Sequence, residues 1–244
     1  MRIAPLVRTL LLLPVVACGG TESDYPPGAQ GAAGEPEIVR GGADEGSRDA
    51  NPASADREVL VVFLGTSLTE GLGLANPATE AWPSRIGELA DGAGIQVRVV
   101  NAGLSGETSA GALRRVDWLM RDPPALLVIE TGANDGLRAL PLAQMEANLD
   151  SILARVRRSA PETRVAIVQM EAPPNLGAPY TEGFRAVYPR VAERWGATLV
   201  PFPLDGIAGV PTLNQDDGTH PTAEGHRRMA ENAWPVLKTL LREL

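Results

Sequence analysis

The sequence predicts an α/β fold in which a five-stranded parallel sheet is covered by helices on both faces. Five short apolar runs are typical of strands that are buried on both sides, as the strands of a parallel sheet are. Helix-period patterns lie between these runs, and such an alternation implies right-handed crossover connections. Polar residues collect after several of the runs, where ligands bind in folds of this class.

The predicted elements follow one another from residue 58 to the end of the chain, and no internal repeat interrupts them. Continuous apolar runs predict strands at Val59–Leu64, Val97–Val100, Leu126–Glu130, Val165–Met170 and Thr198–Phe202. Apolar residues at spacings of three and four predict helices at about 79–91, 108–120, 142–159, 182–195 and 222–241. Residues 58–244 are therefore expected to form one folded domain.

The N-terminal residues have the pattern of an export signal. Arg2 and Arg8 give a positive region before an apolar stretch, Thr9–Val16, that is too short to cross a bilayer as a helix. The following Cys18 completes a segment, Val-Val-Ala-Cys, that resembles a bacterial lipobox. We therefore expect a signal peptide over residues 1–17 and a lipid on Cys18. The alternative is an ordinary signal peptide with an incidental cysteine.

Residues 18–57 differ in composition from the rest of the chain. They are rich in Gly and Pro and contain eight acidic and three basic residues, a net charge of −5. Such a segment buries too little apolar surface to offset its chain entropy, so it is expected to be a disordered tether.

Overall composition excludes several classes of function. The chain has 244 residues and a net charge of −8, which argues against a nucleic-acid partner. Cys18 is the single cysteine, so neither an intramolecular disulfide nor a cysteine metal site is expected. His220 and His226 are the two histidines, and we expect neither a metal nor a cofactor. Gly71-Leu72-Gly73 lacks the rest of a dinucleotide fingerprint and is interpreted as a loop near the site.

Four polar clusters lie beside the predicted strand ends or just before the last helix. They are Gly65–Leu68, Asn101–Thr108, Thr131–Gly136 and Asp216–Pro221. Each cluster alone is typical of a turn or a helix cap. Because carboxyl ends of parallel strands meet at one edge of a sheet, the clusters together predict one site there.

The residue types in these clusters suit acyl transfer. Ser67 is a candidate nucleophile, and His220 is a candidate base that removes its proton. Asp217 lies three residues before His220 and can orient the imidazole. Asp216 and His226 are the competing candidates, but the D-x-x-H spacing selects Asp217, and Ala223 stands three residues before His226.

An oxyanion in such a reaction needs preorganised hydrogen-bond donors. The candidates are the backbone N–H groups of Ser67 and Gly103 and the side-chain amide of Asn134. The alternative interpretations are a capping serine, a tight-turn glycine and a turn asparagine. Asp135 is expected to be structural, and Pro173–Tyr180 is a candidate lining of an acyl pocket.

The same clusters resemble the sequence blocks of the SGNH, or GDSL-type, serine hydrolases. Gly65–Leu68 resembles the Ser block, Asn101–Gly106 the Gly block, Gly132–Asp135 the G-x-N-D block and Asp217–His220 the D-x-x-H block. Three further segments are similar to the periplasmic acyl-CoA thioesterase, lysophospholipase and arylesterase subgroup: Asn134–Arg138, Ala186–Pro189 and Asp216–Pro221.

The resemblance covers about Val59 to Leu240 and implies a flavodoxin-like, three-layer α/β/α sandwich. It implies a serine esterase that hydrolyses aryl, acyl, thio- or lysophospholipid esters with no cofactor. One departure is Thr66, where the family usually has Asp. We expect this neutral residue to remove a negative charge near the base.

The lipobox-like segment and the resemblance together imply export to the periplasm or cell envelope. Gly19 follows Cys18, so no Asp signals retention at the inner membrane, and an outer-membrane lipid anchor is expected. We also expect a monomer and a small acyl ester or thioester substrate.

Other functions remain open from the sequence. A carbohydrate O-acetylesterase or an acyltransferase would share the same catalytic residues on the same scaffold. A non-catalytic ligand-binding lipoprotein could use the same fold. An α/β-hydrolase is excluded because no G-x-S-x-G elbow follows a predicted strand.

Overall fold

The computed structural model describes residues 58–244, which form a parallel five-stranded sheet between two groups of helices. The predicted signal peptide, the lipidation site Cys18 and the tether lie outside the described residues. The strands are β1 (Val59–Gly65), β2 (Val97–Gly103), β3 (Leu126–Ile129), β4 (Arg164–Val168) and β5 (Thr198–Val200). Their order in the sheet is β2-β1-β3-β4-β5, as expected for the predicted fold class.

Eight helices connect and cover the strands within residues 58–244. They are α1 (Ser67–Glu70), α2 (Pro77–Glu80), α3 (Trp82–Gly92), α4 (Ser109–Leu119), α5 (Ala133–Leu137), α6 (Leu142–Ser159), α7 (Ala178–Trp195) and α8 (Ala223–Arg242). Helix α3 packs against α8, whereas α4 and α7 pack against α6, which gives the three layers. None of the helices in this part of the chain is long and apolar enough to cross a membrane.

The core lies on both sides of the sheet and is centred on β3, whose four residues are all buried. On one side Phe63 of β1 meets Trp82 of α3 edge to face, with ring centroids 4.9 Å apart. On the other side Phe184 and Tyr188 of α7 pack together at 5.6 Å. Aromatic pairs of this geometry add to the free energy gained from burial alone.

Several elements differ from the sequence prediction, and the following differences have a local reason. Strand β2 continues through Gly103 because it is the edge strand, where a polar residue such as Asn101 can face solvent. The predicted helix over 79–91 is divided at Ala81, which is extended, and Pro83 cannot donate the backbone hydrogen bond of a continuous helix. The short helices α1 and α5 contain too few residues for a periodic pattern.

Sheet register sets the loops of the site side by side. Gly65 pairs with Gly103, and Leu64 pairs with Ile129. The chain therefore leaves β1, β2 and β3 at nearly one level, and the residues that follow these strands meet at the carboxyl edge of the sheet.

Candidate active site

Ser67 lies at the start of α1, immediately after the turn that follows β1. Thr66 is the extended N-cap residue, with φ −104° and ψ −151°. The first N–H groups of a helix have no acceptor within that helix, so the N–H of Ser67 is available to a ligand. The turn is so tight that only a glycine fits at position 65, since a Cβ there would lie 2.0 Å from Thr69 Oγ1. The half-buried Ser67 hydroxyl is thus presented at the sheet edge.

The structure brings Ser67, His220 and Asp217 together in one hydrogen-bonded chain. His220 Nε2 lies 2.9 Å from Ser67 Oγ, and His220 Nδ1 lies 2.6 Å from Asp217 Oδ2. The second carboxylate oxygen of Asp217 accepts the backbone N–H groups of Thr219 and His220 at 2.8 and 2.9 Å. These hydrogen bonds, above all the one from the His220 side chain, lower the pKa of Asp217 to about 2. Asp217 is therefore ionised at neutral pH.

The loop that carries Asp217 and His220 is braced against the loop after α1. Gln215 closes the turn by donating its N–H to the His220 carbonyl at 2.8 Å. Its side chain donates to the carbonyl of Leu72 at 2.7 Å. Gly73 leaves room for this contact, because a Cβ there would lie 2.0 Å from Gln215 Oε1. The Gly71–Gly73 segment is thus a loop that supports the site, as interpreted from the sequence.

Asn134 enters the site from the first turn of α5. Its Nδ2 donates to the carbonyl oxygen of Glu107 at 3.0 Å. A side-chain amide has two hydrogens, so the second remains for a ligand. Gly132 makes this entry possible through a left-handed conformation with φ +99°, a region that favours glycine.

Gly103 does not fit the donor role that the sequence suggested. Its N–H already donates to Asn101 Oδ1 at 2.9 Å. Its α-carbon packs against α1 so closely that a Cβ would lie 2.0 Å from the backbone nitrogen of Glu70. The sequence pattern did not reveal that β2 runs through Gly103, which places this glycine in the sheet rather than in the loop.

Gly106, three residues further on, has the features that Gly103 lacks. It is exposed and left-handed, with φ +73°, and a Cβ there would come within 4 Å only of Arg138 Nη2. Its carbonyl oxygen accepts a hydrogen bond from Arg138 at 2.9 Å. Within residues 58–244, no hydrogen bond has the Gly106 N–H as its donor. The sequence signal that could have identified Gly106 is that it is the second glycine of the polar cluster Asn101–Thr108.

The competing residues take other places. His226 lies on α8, is 1% exposed, and accepts the backbone N–H of Trp82 at Nδ1 over 3.3 Å. Burial lowers the pKa of His226 to about 4, so it is neutral at ordinary pH and acts in helix packing. Asp216 makes no hydrogen bond to His220 in the described part of the chain. Within that part, no group of three or more His, Cys, Asp or Glu residues is arranged to hold a metal ion.

Asp135 supports the site from beneath. Its carboxylate accepts the N–H and the hydroxyl of Ser109 at 2.8 and 2.6 Å, and the Ser109 hydroxyl also accepts a hydrogen bond from Asn148. Asp135 thereby fixes the first residue of α4 to α5. It is 3% exposed and serves the structural purpose expected of it.

The position of Thr66 corrects an expectation drawn from the sequence. Its side chain is 1% exposed and points to Glu130, with Oγ1 3.0 Å from Glu130 Oε1. It does not face His220. A carboxylate is therefore present beneath the serine turn even though residue 66 is neutral.

A cavity of about 350 Å³ opens beside Ser67 and Asn134. Its walls are mainly apolar and include Leu68, Leu137, Met170, Pro173, Pro174 and Phe202. The proline pair belongs to the segment expected to line an acyl pocket. Tyr180, at the end of that segment, instead donates its hydroxyl to the Leu140 carbonyl at 2.8 Å.

The three-layer α/β/α fold and the arrangement of Ser67, His220 and Asp217 are typical of serine hydrolases with a flavodoxin-like sheet. Residues 63–228 match the GDSL-like lipase/acylhydrolase family, and the chain belongs to that family.

The chain is also similar to individual members of known function or structure. It is 41% identical over 189 residues to the esterase TesA of Pseudomonas aeruginosa, covering 77% of this chain and 91% of that protein. It is 33% identical to the thioesterase 1/protease 1/lysophospholipase L1 of Escherichia coli K12, covering 73% and 82% of the two chains. A crystal structure of TesA superposes with a TM-score of 0.70 at 40% identity, over 74% of this chain and 99% of the other.

Proposed function

We propose that this protein hydrolyses carboxylic esters and thioesters by two-step acyl transfer, with Ser67 as the nucleophile. The observation that carries this proposal is the 2.9 Å contact between His220 Nε2 and Ser67 Oγ. A serine hydroxyl becomes a competent nucleophile when an adjacent base takes its proton.

The tautomer of His220 follows from its two partners. Ionised Asp217 accepts the hydrogen on Nδ1 and leaves the Nε2 lone pair to accept the Ser67 proton. As Ser67 Oγ bonds to the substrate carbonyl carbon, His220 becomes an imidazolium that Asp217 stabilises. The carbonyl oxygen acquires the negative charge.

Three donors are proposed to hold that oxyanion. They are the N–H of Ser67, the second side-chain hydrogen of Asn134, and the N–H of Gly106 in place of Gly103. Donors that are already oriented cost no reorganisation when the charge develops. The hydrogen bond from Asn134 to Glu107 keeps the α5 loop next to the loop that carries Gly106.

The remaining steps return the enzyme to its starting state. His220 gives its proton to the departing alcohol or thiol, and the carbonyl re-forms as an acyl ester of Ser67. Water then loses a proton to His220 and attacks this ester. Collapse of the second tetrahedral intermediate releases the acid, and Ser67 recovers its proton from His220.

The apolar cavity supports an acyl chain as the group bound beside Ser67. Its volume of about 350 Å³ is in the range of small-molecule sites. The names of the relatives, an esterase and a thioesterase/lysophospholipase, support oxygen esters and thioesters as substrate classes.

We further propose that the protein is exported and anchored to a membrane through lipid on Cys18. The support is the lipobox-like segment that ends at Cys18 and the acidic, Gly/Pro-rich residues that follow it. One acyl chain binds a membrane only marginally, whereas a cysteine that carries two or more chains gives a stable anchor.

A substrate panel on the purified protein tests the reaction and its class. The panel contains p-nitrophenyl esters of increasing chain length, acyl-CoA, a lysophospholipid and an acetylated sugar. We expect turnover of the aryl and thio esters that is lost in Ser67→Ala and kept in Ser151→Ala, whose serine only donates to a carbonyl on α6. Preference for the acetylated sugar would instead favour the carbohydrate esterase. No turnover of any substrate would favour a binding protein.

A further inference from the structure

A buried carboxylate lies directly beneath the turn that presents Ser67. Glu130 follows β3 and is 1% exposed. Its Oε2 accepts the backbone N–H of Thr66 at 2.9 Å and the Thr69 hydroxyl at 2.9 Å, while Oε1 accepts the Thr66 hydroxyl at 3.0 Å. These donors immediately precede Ser67 or lie two residues after it.

The surrounding backbone is shaped to admit this carboxylate. A Cβ on Gly65 would lie 2.8 Å from Glu130 Oε2, so a glycine at this position gives the carboxylate room. The cluster continues into α3, because Trp82 Nε1 donates to Thr69 Oγ1 at 3.3 Å. Within residues 58–244, neither Ser67, His220 nor Asp217 forms a hydrogen bond with the Glu130 side chain. Burying a carboxylate carries a large free-energy cost unless it is well hydrogen-bonded.

We propose that Glu130 is a positioning residue, whose ionised carboxylate holds the Thr66 turn and the first turn of α1 so that Ser67 Oγ meets His220. The inference rests on the proposed function of Ser67. Its physical basis is the Thr66 N–H, which adjoins the nucleophile and fixes the local backbone. A displacement of about 1 Å in a reacting group can cost on the order of 10² in rate.

The protonation state of Glu130 decides whether this bracing is complete. An ionised carboxylate only accepts, which suits three donors, whereas a protonated one must itself donate. Burial raises the pKa of Glu130 to about 7, against the opposing effect of the hydrogen bonds from Thr66 and Thr69. The acidic limb of the pH–rate profile should therefore include the ionisation of Glu130.

The other titratable groups around the cluster act on it indirectly. The pKa of Tyr188 on α7 is raised well above its usual value, mainly by burial and in part by Glu130, so it stays neutral. His226 on α8 accepts the backbone N–H of Trp82 and is neutral at ordinary pH. Arg115 on α4 reaches the Gly65 carbonyl at 3.1 Å and is paired with Glu107.

Glu130→Gln is the direct test. The amide keeps the shape of the side chain but directs an NH₂ group at the Thr donors, as the protonated acid directs its hydrogen. With p-nitrophenyl butyrate we expect kcat to fall about 10- to 10²-fold while KM changes little. We also expect one ionisation to disappear from the acidic limb of the kcat/KM profile.

Two further variants test the proposal without changing Glu130. Thr69→Val removes a hydrogen bond to the charged carboxylate, so the acidic limb should move to higher pH. Thr131→Val is the matched control, because this neighbouring hydroxyl is buried and has no hydrogen-bond partner among residues 58–244. The acidic limb of the Thr131→Val profile should coincide with that of the wild type.

The outcomes separate this proposal from the proposed function. Glu130→Gln with wild-type kcat per folded molecule and an unchanged profile would show a merely structural role and overturn the inference. If Glu130→Gln does not fold, a Thr69→Val limb that coincides with the Thr131→Val limb would overturn it. Hydrolysis that persists in Ser67→Ala would instead refute the proposed function on which the inference rests.

Discussion

Asn134 donates one hydrogen of its side-chain amide to the carbonyl oxygen of Glu107 at 3.0 Å. This bond joins α5, which follows β3, to the loop after β2 across the carboxyl edge of the sheet. It fixes the amide plane, so the second hydrogen has a set direction before substrate arrives. Such preorganisation is what makes a donor effective toward charge that develops during a reaction.

Asn134→Ala should turn over slowly while remaining folded. Loss of one oxyanion donor typically lowers turnover by about 10²–10³, or roughly 3–4 kcal/mol. The measurement is kcat and KM on an aryl ester, with thermal unfolding as the check on folding. Because the donor acts mainly in the transition state, KM should change little. Turnover equal to that of the wild type would remove Asn134 from the mechanism.

Gly103→Ala should affect the fold rather than the chemistry alone. The added Cβ would lie 2.0 Å from the Glu70 nitrogen, and backbone cannot move aside as a flexible side chain can. Overpacking of this kind typically costs about 1–3 kcal/mol of stability. Thermal unfolding measures the loss. A variant with unchanged stability would contradict the close packing of Gly103 against α1.

The contrast between these two glycines shows where the sequence pattern stops being informative. Both stand in one polar cluster, and a linear motif cannot tell which N–H is free. In the folded chain Asn101 Oδ1 occupies the Gly103 N–H, and pairing with Gly65 holds Gly103 in the sheet. By comparison, D-x-x-H spacing was sufficient to select Asp217, because one short turn determines the contact with His220.

Glu130 illustrates a second limit. The sequence suggested only that it ends an apolar strand, and the donors that satisfy it lie 61 to 64 positions earlier in the chain. The strands, the longer helices and the Ser-His-Asp candidates could be predicted because they depend on local periodicity and short spacings. Buried polar networks depend on long-range packing, and neither local periodicity nor the spacing of a short motif reflects such packing.

The unfolding free energy should depend on pH through Glu130. Its pKa is raised from 4.5 to about 7 in the folded protein, so folding favours the protonated form. The stabilisation is fully present below about pH 4.5 and is lost as pH rises through about 7, with a magnitude of roughly 3 kcal/mol. Denaturant unfolding at pH 5 and pH 8 measures it. From pH 5 to pH 8 the unfolding free energy of the wild type should fall relative to that of Glu130→Gln. An equal change of unfolding free energy in both proteins would contradict the raised pKa of Glu130.

Cys18→Ser, expressed with its own leader, should move the protein from the membrane fraction to the soluble fraction. Aryl-ester turnover should remain, because Cys18 precedes the described domain by 40 residues. Fractionation and intact mass provide the readout. A wild-type protein that is soluble, carries no lipid and begins at another residue would refute the anchor.

The central claim is that Ser67 is the nucleophile, and covalent labelling with a fluorophosphonate tests it most directly. The reagent phosphonylates an activated serine, and peptide mass mapping identifies the modified residue. We expect one label per molecule, located on Ser67, and no labelling of Ser67→Ala. Asn134→Ala should still react at Ser67, although more slowly, because it retains the nucleophile and the base. A label on any other serine, or labelling that persists in Ser67→Ala, would contradict the account.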